Sequence, residues 1–239
     1  MVSRGNPPFT TPPLSLIPPR IERMIPPPQP KPAEAPTPAI RRPGGVFIAI
    51  EGIDGTGKST HARRLGEWFE NRGRVVVVSR EPTNGPWGVK LRESAATGRL
   101  SAEEELRYFL NDRRQHVAET ISPALAAGKV VILDRYYFST MAYQGARGFD
   151  PDGIRRMNEE FAPVPDLLLI LDLDVESAHA RIGHRGDSAN EFETRESLER
   201  CRGIFLSLRG EPFARVIDSS GELDEVHARI LEAVSGALA

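Results

Sequence analysis

Gly52-Ile53-Asp54-Gly55-Thr56-Gly57-Lys58-Ser59-Thr60 is the stretch on which the fold turns. It follows a strand-like segment, Val46-Phe47-Ile48-Ala49-Ile50-Glu51, and leads into helix-like residues 61–72. The spacing is G-x-x-x-x-G-K-S, the phosphate-binding P-loop pattern, set between the strand and the helix that the pattern requires. The residue types follow from the chemistry. Glycines let backbone N–H groups close around phosphate oxygens. The helix that follows adds its positive N-terminal end. Lys58 is placed to bridge the β- and γ-phosphates of a nucleotide, and Ser59 to offer its hydroxyl to Mg2+.

Outward from this run, strand and helix alternate. Residues 46–51, 74–79, 130–134, 166–173 and 214–218 read as strands, with Val75-Val76-Val77-Val78 and Leu167-Leu168-Leu169-Ile170-Leu171 as buried apolar runs. Residues 61–72, 152–161, 175–182, 196–208 and 222–238 read as helices. Residues 101–127 are largely helical, with a capping-box pattern from Ser101 to Glu104, and Pro123 either interrupts the helix or opens a second one. The alternation predicts an α/β fold of the P-loop NTPase kind: a five-stranded parallel sheet with helices on both faces. In such sheets ligands gather beyond the carboxyl ends of the strands.

Composition narrows the function further. The 239 residues are 27% charged and 39% hydrophobic, enough for one large domain with a substantial core. A formal net charge of -2 gives no global basic field for nucleic acid. Cys201 is the single cysteine, which excludes an intrachain disulfide and suits a reducing cytoplasm. His61, His116, His179, His184 and His227 have no metal-ligand spacing and read as ordinary surface or helix residues. No apolar run reaches membrane-spanning length, and the amino terminus lacks the apolar core of a signal peptide. Residues 1–44 hold most of the 21 prolines and read as a disordered or polyproline-II arm ahead of a domain over residues 45–239.

Three further segments carry chemistry, each open to two readings. Residues 80–88, Arg80-Glu81-Pro82-Thr83-Asn84-Gly85-Pro86-Trp87-Gly88, form a shaped loop or plain turn chemistry. At the end of the third strand, Asp134 is suited to orient Mg2+ and Arg135 to fork onto a phosphate, or the two pair with each other. Phe109 and Arg113 share a helix face and suit a stacked, hydrogen-bonded base, or Phe109 is core and Arg113 is solvated.

Taken together, E-G-I-D-G-T-G-K-S-T (residues 51–60), R-E-P (80–82), K-L-R-E (90–93), D-R-R-Q-H-V (112–117) and D-R-Y-Y-F-S-T-M-A-Y-Q-G (134–145) resemble the thymidylate kinases. The likeness covers nearly everything from Gly45 onward. It implies transfer of the γ-phosphate of ATP to dTMP, with Mg2+, in a homodimer. By residue, it implies that Gly52 to Thr60 cradle ATP and that Lys58, Arg135, Asp54 and a lid arginine are catalytic. Asp54 would meet the 3′-hydroxyl of the deoxyribose or the metal shell, and Ser59 and Asp134 would serve the metal. Arg92 and Arg135 would hold the dTMP phosphate. Phe109 would stack on thymine, Arg113 would bond its O4 edge, and Thr140 and Gln144 would bond its polar edge. Tyr143 would crowd the 2′ position.

Two departures stand against the family pattern. Many members have R-E-P-G-G-T where this chain has Arg80-Glu81-Pro82-Thr83-Asn84-Gly85. That loop neighbours the acceptor, so a kinase of different or broader acceptor is one alternative. A nucleotide-binding protein without catalysis is another, and against it Lys58, Ser59, Asp134 and Arg135 are all retained. Gly55 stands where one class of the family carries a catalytic Arg, so a lid at about residues 181–195 would supply it. The frequent D-R-F-E element reads Asn190-Glu191-Phe192-Glu193, which leaves Arg185, and after it Arg181, as the candidate.

Overall fold

The computed structural model describes residues 44–98, 100–183 and 194–238. Five strands form one all-parallel sheet: β1 (Val46–Glu51), β2 (Val76–Arg80), β3 (Val130–Asp134), β4 (Leu167–Asp172) and β5 (Ala214–Asp218). Their spatial order is β2-β3-β1-β4-β5, so β1 is central. Alternation of side chains along each strand explains the continuous apolar runs. Phe47, Ala49, Val131, Leu133, Leu168 and Ile170 pack on one face. Ile48, Ile50, Val130, Ile132, Leu167 and Leu169 pack on the other. Helices cover both.

The second face is sealed by α1 (Lys58–Glu70), through Ala62, Leu65 and Phe69, and by α9 (Leu223–Leu238), through Val226, Ile230 and Val234. The first face carries α3 (Ala102–His116), a π turn (Val117–Ile121), α5 (Tyr137–Ala146) and α8 (Arg195–Ser207), with Leu106, Ile121, Phe138, Met141 and Phe205 in its core. The remaining helices are α2 (Pro86–Thr97), α4 (Ser122–Ala126), α6 (Pro151–Glu159) and α7 (Val175–Gly183). Truncating a fully buried core side chain such as Ile48 to Ala would cost about 2–5 kcal/mol.

Several readings change. The valine run is an edge strand, not a buried one: Val75 is 62% and Val78 46% exposed, because β2 ends the sheet on that side. Residues 101–127 divide at the π turn, and Pro123 sits in the first turn of α4, where its missing N–H costs nothing. The capping box is present: Ser101 Oγ accepts from Glu104 N, and Glu104 accepts from Ser101 N. The last three residues of the supposed loop at 80–88 open a helix, because Pro86 is the first residue of α2. The aromatic segment after Arg135 is also a helix, α5. His61 and His227 are buried rather than superficial. They stack 5.7 Å apart between α1 and α9, and burial pushes the His61 imidazole down to about 4. Among the described residues, no helix is long and apolar enough to cross a membrane. The proline-rich residues 1–43 lie outside the described residues.

Register places the chemistry. Ile50, Asp134 and Arg80 lie on one rung of β1, β3 and β2. The next residues, Glu51, Arg135 and Glu81, therefore emerge together at the carboxyl ends.

Candidate active site

Gly52, Gly55 and Gly57 take φ values of 141, 88 and 88°, a region that side chains disfavour. A Cβ on Gly52 would also collide with the Leu171 carbonyl, and one on Gly55 would come 2.6 Å from the Ala178 carbonyl of α7. Thr56 Oγ1 donates to Ile53 O at 2.9 Å, and Ser219 Oγ donates to Thr56 O at 2.9 Å, so the loop is held from within and from the residue that follows β5. Lys58 is buried. Its Nζ donates to Ile53 O at 2.7 Å and lies 3.9 Å from Asp54 Oδ1. Burial, and then the charge of Arg135, lower its ammonium to about 8.

Ser59 Oγ, exposed at the start of α1, donates to Asp134 Oδ2. The other oxygen, Asp134 Oδ1, is buried with no hydrogen-bond partner among the described residues. Asp134 does not pair with its neighbour. Arg135, at a φ of 70°, turns instead to Asp54 Oδ1 and donates to Ser139 Oγ at 3.1 Å. Tyr143 Oη donates to Asp54 Oδ2 at 2.8 Å, and the Arg135 guanidinium lies 5.2 Å from the Tyr143 ring centroid.

A cavity of about 180 Å3 lies beside this group, lined by Phe109, Arg113, Thr140, Tyr143 and Gln144 together with Asp54 and Arg135. Arg113 is 1% exposed, so it is far from solvated. Its Nε donates to Glu81 Oε2 at 2.7 Å, Nη1 to Asn158 Oδ1 at 2.6 Å and Nη2 to Thr140 Oγ1 at 3.1 Å. Phe109 is half-buried and stands outside the core. A smaller cavity of about 90 Å3 lies over the P-loop, lined by Gly55, Gly57, Lys58, Ser59, Thr60 and Asp134. Asp54 and Arg135 line both.

The family model described as thymidylate kinase matches residues 50–230. A thymidylate kinase of Xanthomonas campestris pv. campestris is 55% identical over 197 residues, spanning 82% of this chain and 86% of the relative. One from Akkermansia muciniphila is 54% identical over 191 residues, spanning 80% and 92%. This chain belongs to the thymidylate kinase family.

Within this thymidylate kinase fold, most residues singled out in the sequence line one of the two cavities; Gly52, Ile53, Thr56, Arg92 and Arg181 do not. Arg92 is exposed on α2, where it donates to Pro82 O at 3.0 Å and Asn84 Oδ1 at 3.2 Å, and it does not line the larger cavity. Arg181 donates to the backbone carbonyls of Ser219 and Gly221, tying α7 to the loop after β5. Arg185, with residues 184–193 of the expected lid, lies outside the described residues.

Three buried carboxylates support the site without having been given a role in the sequence, although Glu51 and Glu81 stand inside its motifs. Glu81 grips Arg113 and sits 3.0 Å from His116 Nδ1. Glu51 accepts from Tyr136 N at 2.7 Å, Ser139 N at 3.0 Å and Ser139 Oγ at 2.6 Å, capping α5 from across the sheet. Burial pushes its carboxyl up to about 7, against the hydrogen bond from Ser139 and the charge of Arg135. Glu105 lines the base cavity from α3. The available signal was a charged residue ending an apolar strand, as with Glu51. For Glu105, in a helix with Glu103 and Glu104, sequence offered none.

Proposed function

We propose that this member of the thymidylate kinase family carries the γ-phosphate of ATP to dTMP, with the nucleotide phosphates over the P-loop and dTMP in the cavity behind Arg135. The observation that carries this is the pair of cavities meeting at Asp54 and Arg135. A donor phosphate in one and an acceptor phosphate in the other would face each other across that boundary.

The residues then divide the work. Backbone N–H groups of residues 52–60, with Lys58, hold the β- and γ-phosphates. Arg135 holds the acceptor phosphate, and Asp54 and Tyr143 fix its guanidinium. Arg92 on α2 would leave Pro82 O and Asn84 Oδ1 to reach the same phosphate. A phosphate monoester has a second pKa of about 6, so the acceptor is already a dianion at neutral pH and needs no general base. The barrier is repulsion between two polyanions. Lys58, Arg135 and Arg185 from the lid offset it and align the attack. Phe109 stacks on the base, Arg113 donates to O4, Thr140 and Gln144 meet the polar edge, and Tyr143 excludes a 2′-hydroxyl.

The donor set suits Mg2+. Asp134 Oδ1 lacks a partner, Ser59 Oγ is adjacent, and no group of three His, Cys, Asp or Glu among the described residues forms a cage of its own. Mg2+ typically binds through one or two carboxylates plus substrate phosphates, where it neutralises charge. A cytoplasmic homodimer completes the reading; sedimentation of the full chain tests the dimer.

The test is ADP release by the full chain with ATP, Mg2+ and a panel of dTMP, dUMP, dGMP, dCMP and AMP. The expected result is turnover greatest with dTMP. ADP release no faster with any of them than without an acceptor overturns the proposal.

A further inference from the structure

Glu105 is 4% exposed, and a buried glutamate is rare without a partner. It stands one helical turn before Phe109 on α3, on the face that lines the base cavity. Its Oε2 accepts from Gln144 Nε2 at 3.0 Å and forms an ion pair with Arg147 Nη1. Arg147, the C-cap of α5, also points Nη1 at Gln144 Oε1, 3.4 Å away. The Gln144 amide is thus gripped at both ends, its nitrogen by an anion and its oxygen by a cation. Turning it over would set N–H against guanidinium and carbonyl against carboxylate. Both contacts would become repulsive, in a site where the low dielectric magnifies the cost.

We propose that Glu105 and Arg147 are positioning residues that set base selectivity by locking the Gln144 amide in one orientation. The inference rests on the dTMP reading above. Arg113 offers donors alone, so the base beside it must present an acceptor, as O4 of thymine does. The locked Gln144 then offers its carbonyl oxygen to the neighbouring ring position, which is N3–H in thymine. Cytosine reverses both groups, with an amino group in place of O4 and a lone pair at N3. It meets a donor with a donor and an acceptor with an acceptor. A freely turning amide would adjust to either base at the Gln144 end; a clamped one does not.

The test compares dTMP with 5-methyl-dCMP, which keeps the methyl group and shape of thymine and reverses the hydrogen-bonding edge. Glu105→Gln removes the charge and keeps the side chain's shape. Its ratio of kcat/KM for dTMP over 5-methyl-dCMP should fall about tenfold or more, the change expected when one buried polar mismatch is relieved. The shift should lie mainly in the two acceptor KM values, with the KM for ATP unmoved. A merely structural role would lower both acceptors together and leave the ratio alone. An unchanged ratio in a folded Glu105→Gln protein overturns the inference and leaves the dTMP reading standing. A wild-type enzyme indifferent to the two acceptors sinks that reading and the inference with it. Should Glu105→Gln fail to fold, Arg147→Gln decides at a side chain that is 26% exposed. There too a narrowed ratio supports the clamp and an unchanged one overturns it.

Discussion

In the phosphate cradle, Lys58 and Thr56 both reach Ile53, five and three residues away. In the base cavity, Arg113 reaches Thr140, Glu81 and Asn158, which are 27, 32 and 45 residues away. The first half of the site is shaped chiefly by backbone and local contacts, tied down from afar by Ser219 and Asp134, and the second is built of side chains that meet only after folding. A backbone cradle tolerates a changed side chain unless that side chain carries charge to the phosphates. A side-chain cavity is damaged by the loss of any member, because each member holds the next.

The largest effects should therefore come from the few cations on the phosphates. Lys58→Ala should lower kcat by roughly 10³, in line with loss of a phosphate-clamping cation. A loss under tenfold in the ADP-release assay would mean that the backbone does the work alone. Arg185→Ala should slow turnover on a similar scale while leaving dTMP affinity nearly intact. Unchanged turnover would move the lid role elsewhere.

On the other side of the comparison, Arg113→Ala should destabilise the protein by about 3–5 kcal/mol, because Glu81 would be left buried with only His116 beside it. Urea unfolding reads that number directly; a loss under 1 kcal/mol would show that the network relaxes as easily as a surface. Phe109→Ala should leave stability nearly unchanged, since the ring lies outside the core. It should raise the dTMP KM about 10- to 100-fold, the scale of a lost base–aromatic stack. An unaltered KM would remove the stacking role.

The gentlest test uses pH. Lys58 in the nucleotide-free protein is charged below about 8 and neutral above it. Above that point the protein must take up a proton to bind ATP, so the ATP KM should rise by about tenfold per pH unit. The nucleotide's phosphates hold the proton on once bound, so kcat should move less. A flat ATP KM between pH 8 and 9.5 would show that the ammonium is not what the phosphates read.

The same contrast explains how far the sequence could be read. The strand, glycine turn and helix from Val46 to Glu70 were legible because a strand ending in G-x-x-x-x-G-K-S leaves the backbone little choice. The apolar run at Leu167–Asp172 was legible for the same kind of reason. The valine run of β2 misled, because β-propensity says nothing about whether a strand ends the sheet. Helix α5 was hidden behind aromatic and β-branched residues of modest helix propensity, and it is fixed from outside by Glu51. Phe109 and Arg113 could be placed on one face but not assigned a base by spacing. The family resemblance supplied that, and the cavity then brought them together with Thr140, Tyr143 and Gln144.

What the amino-acid order determined on its own is the phosphate cradle, the parallel α/β architecture and membership in a kinase family. The first two follow from local backbone preference and from the alternation of strands with helices; the third rests on the resemblance of its motifs to those of the family. Tertiary structure alone decided that Arg135 pairs with Asp54 rather than Asp134, that Arg113 is buried against Glu81, and that Glu105 and Arg147 grip Gln144. Those pairings depend on which charges share a space with little water. That is settled by packing between segments, where the low dielectric makes the choice of partner worth far more than it is along an extended chain.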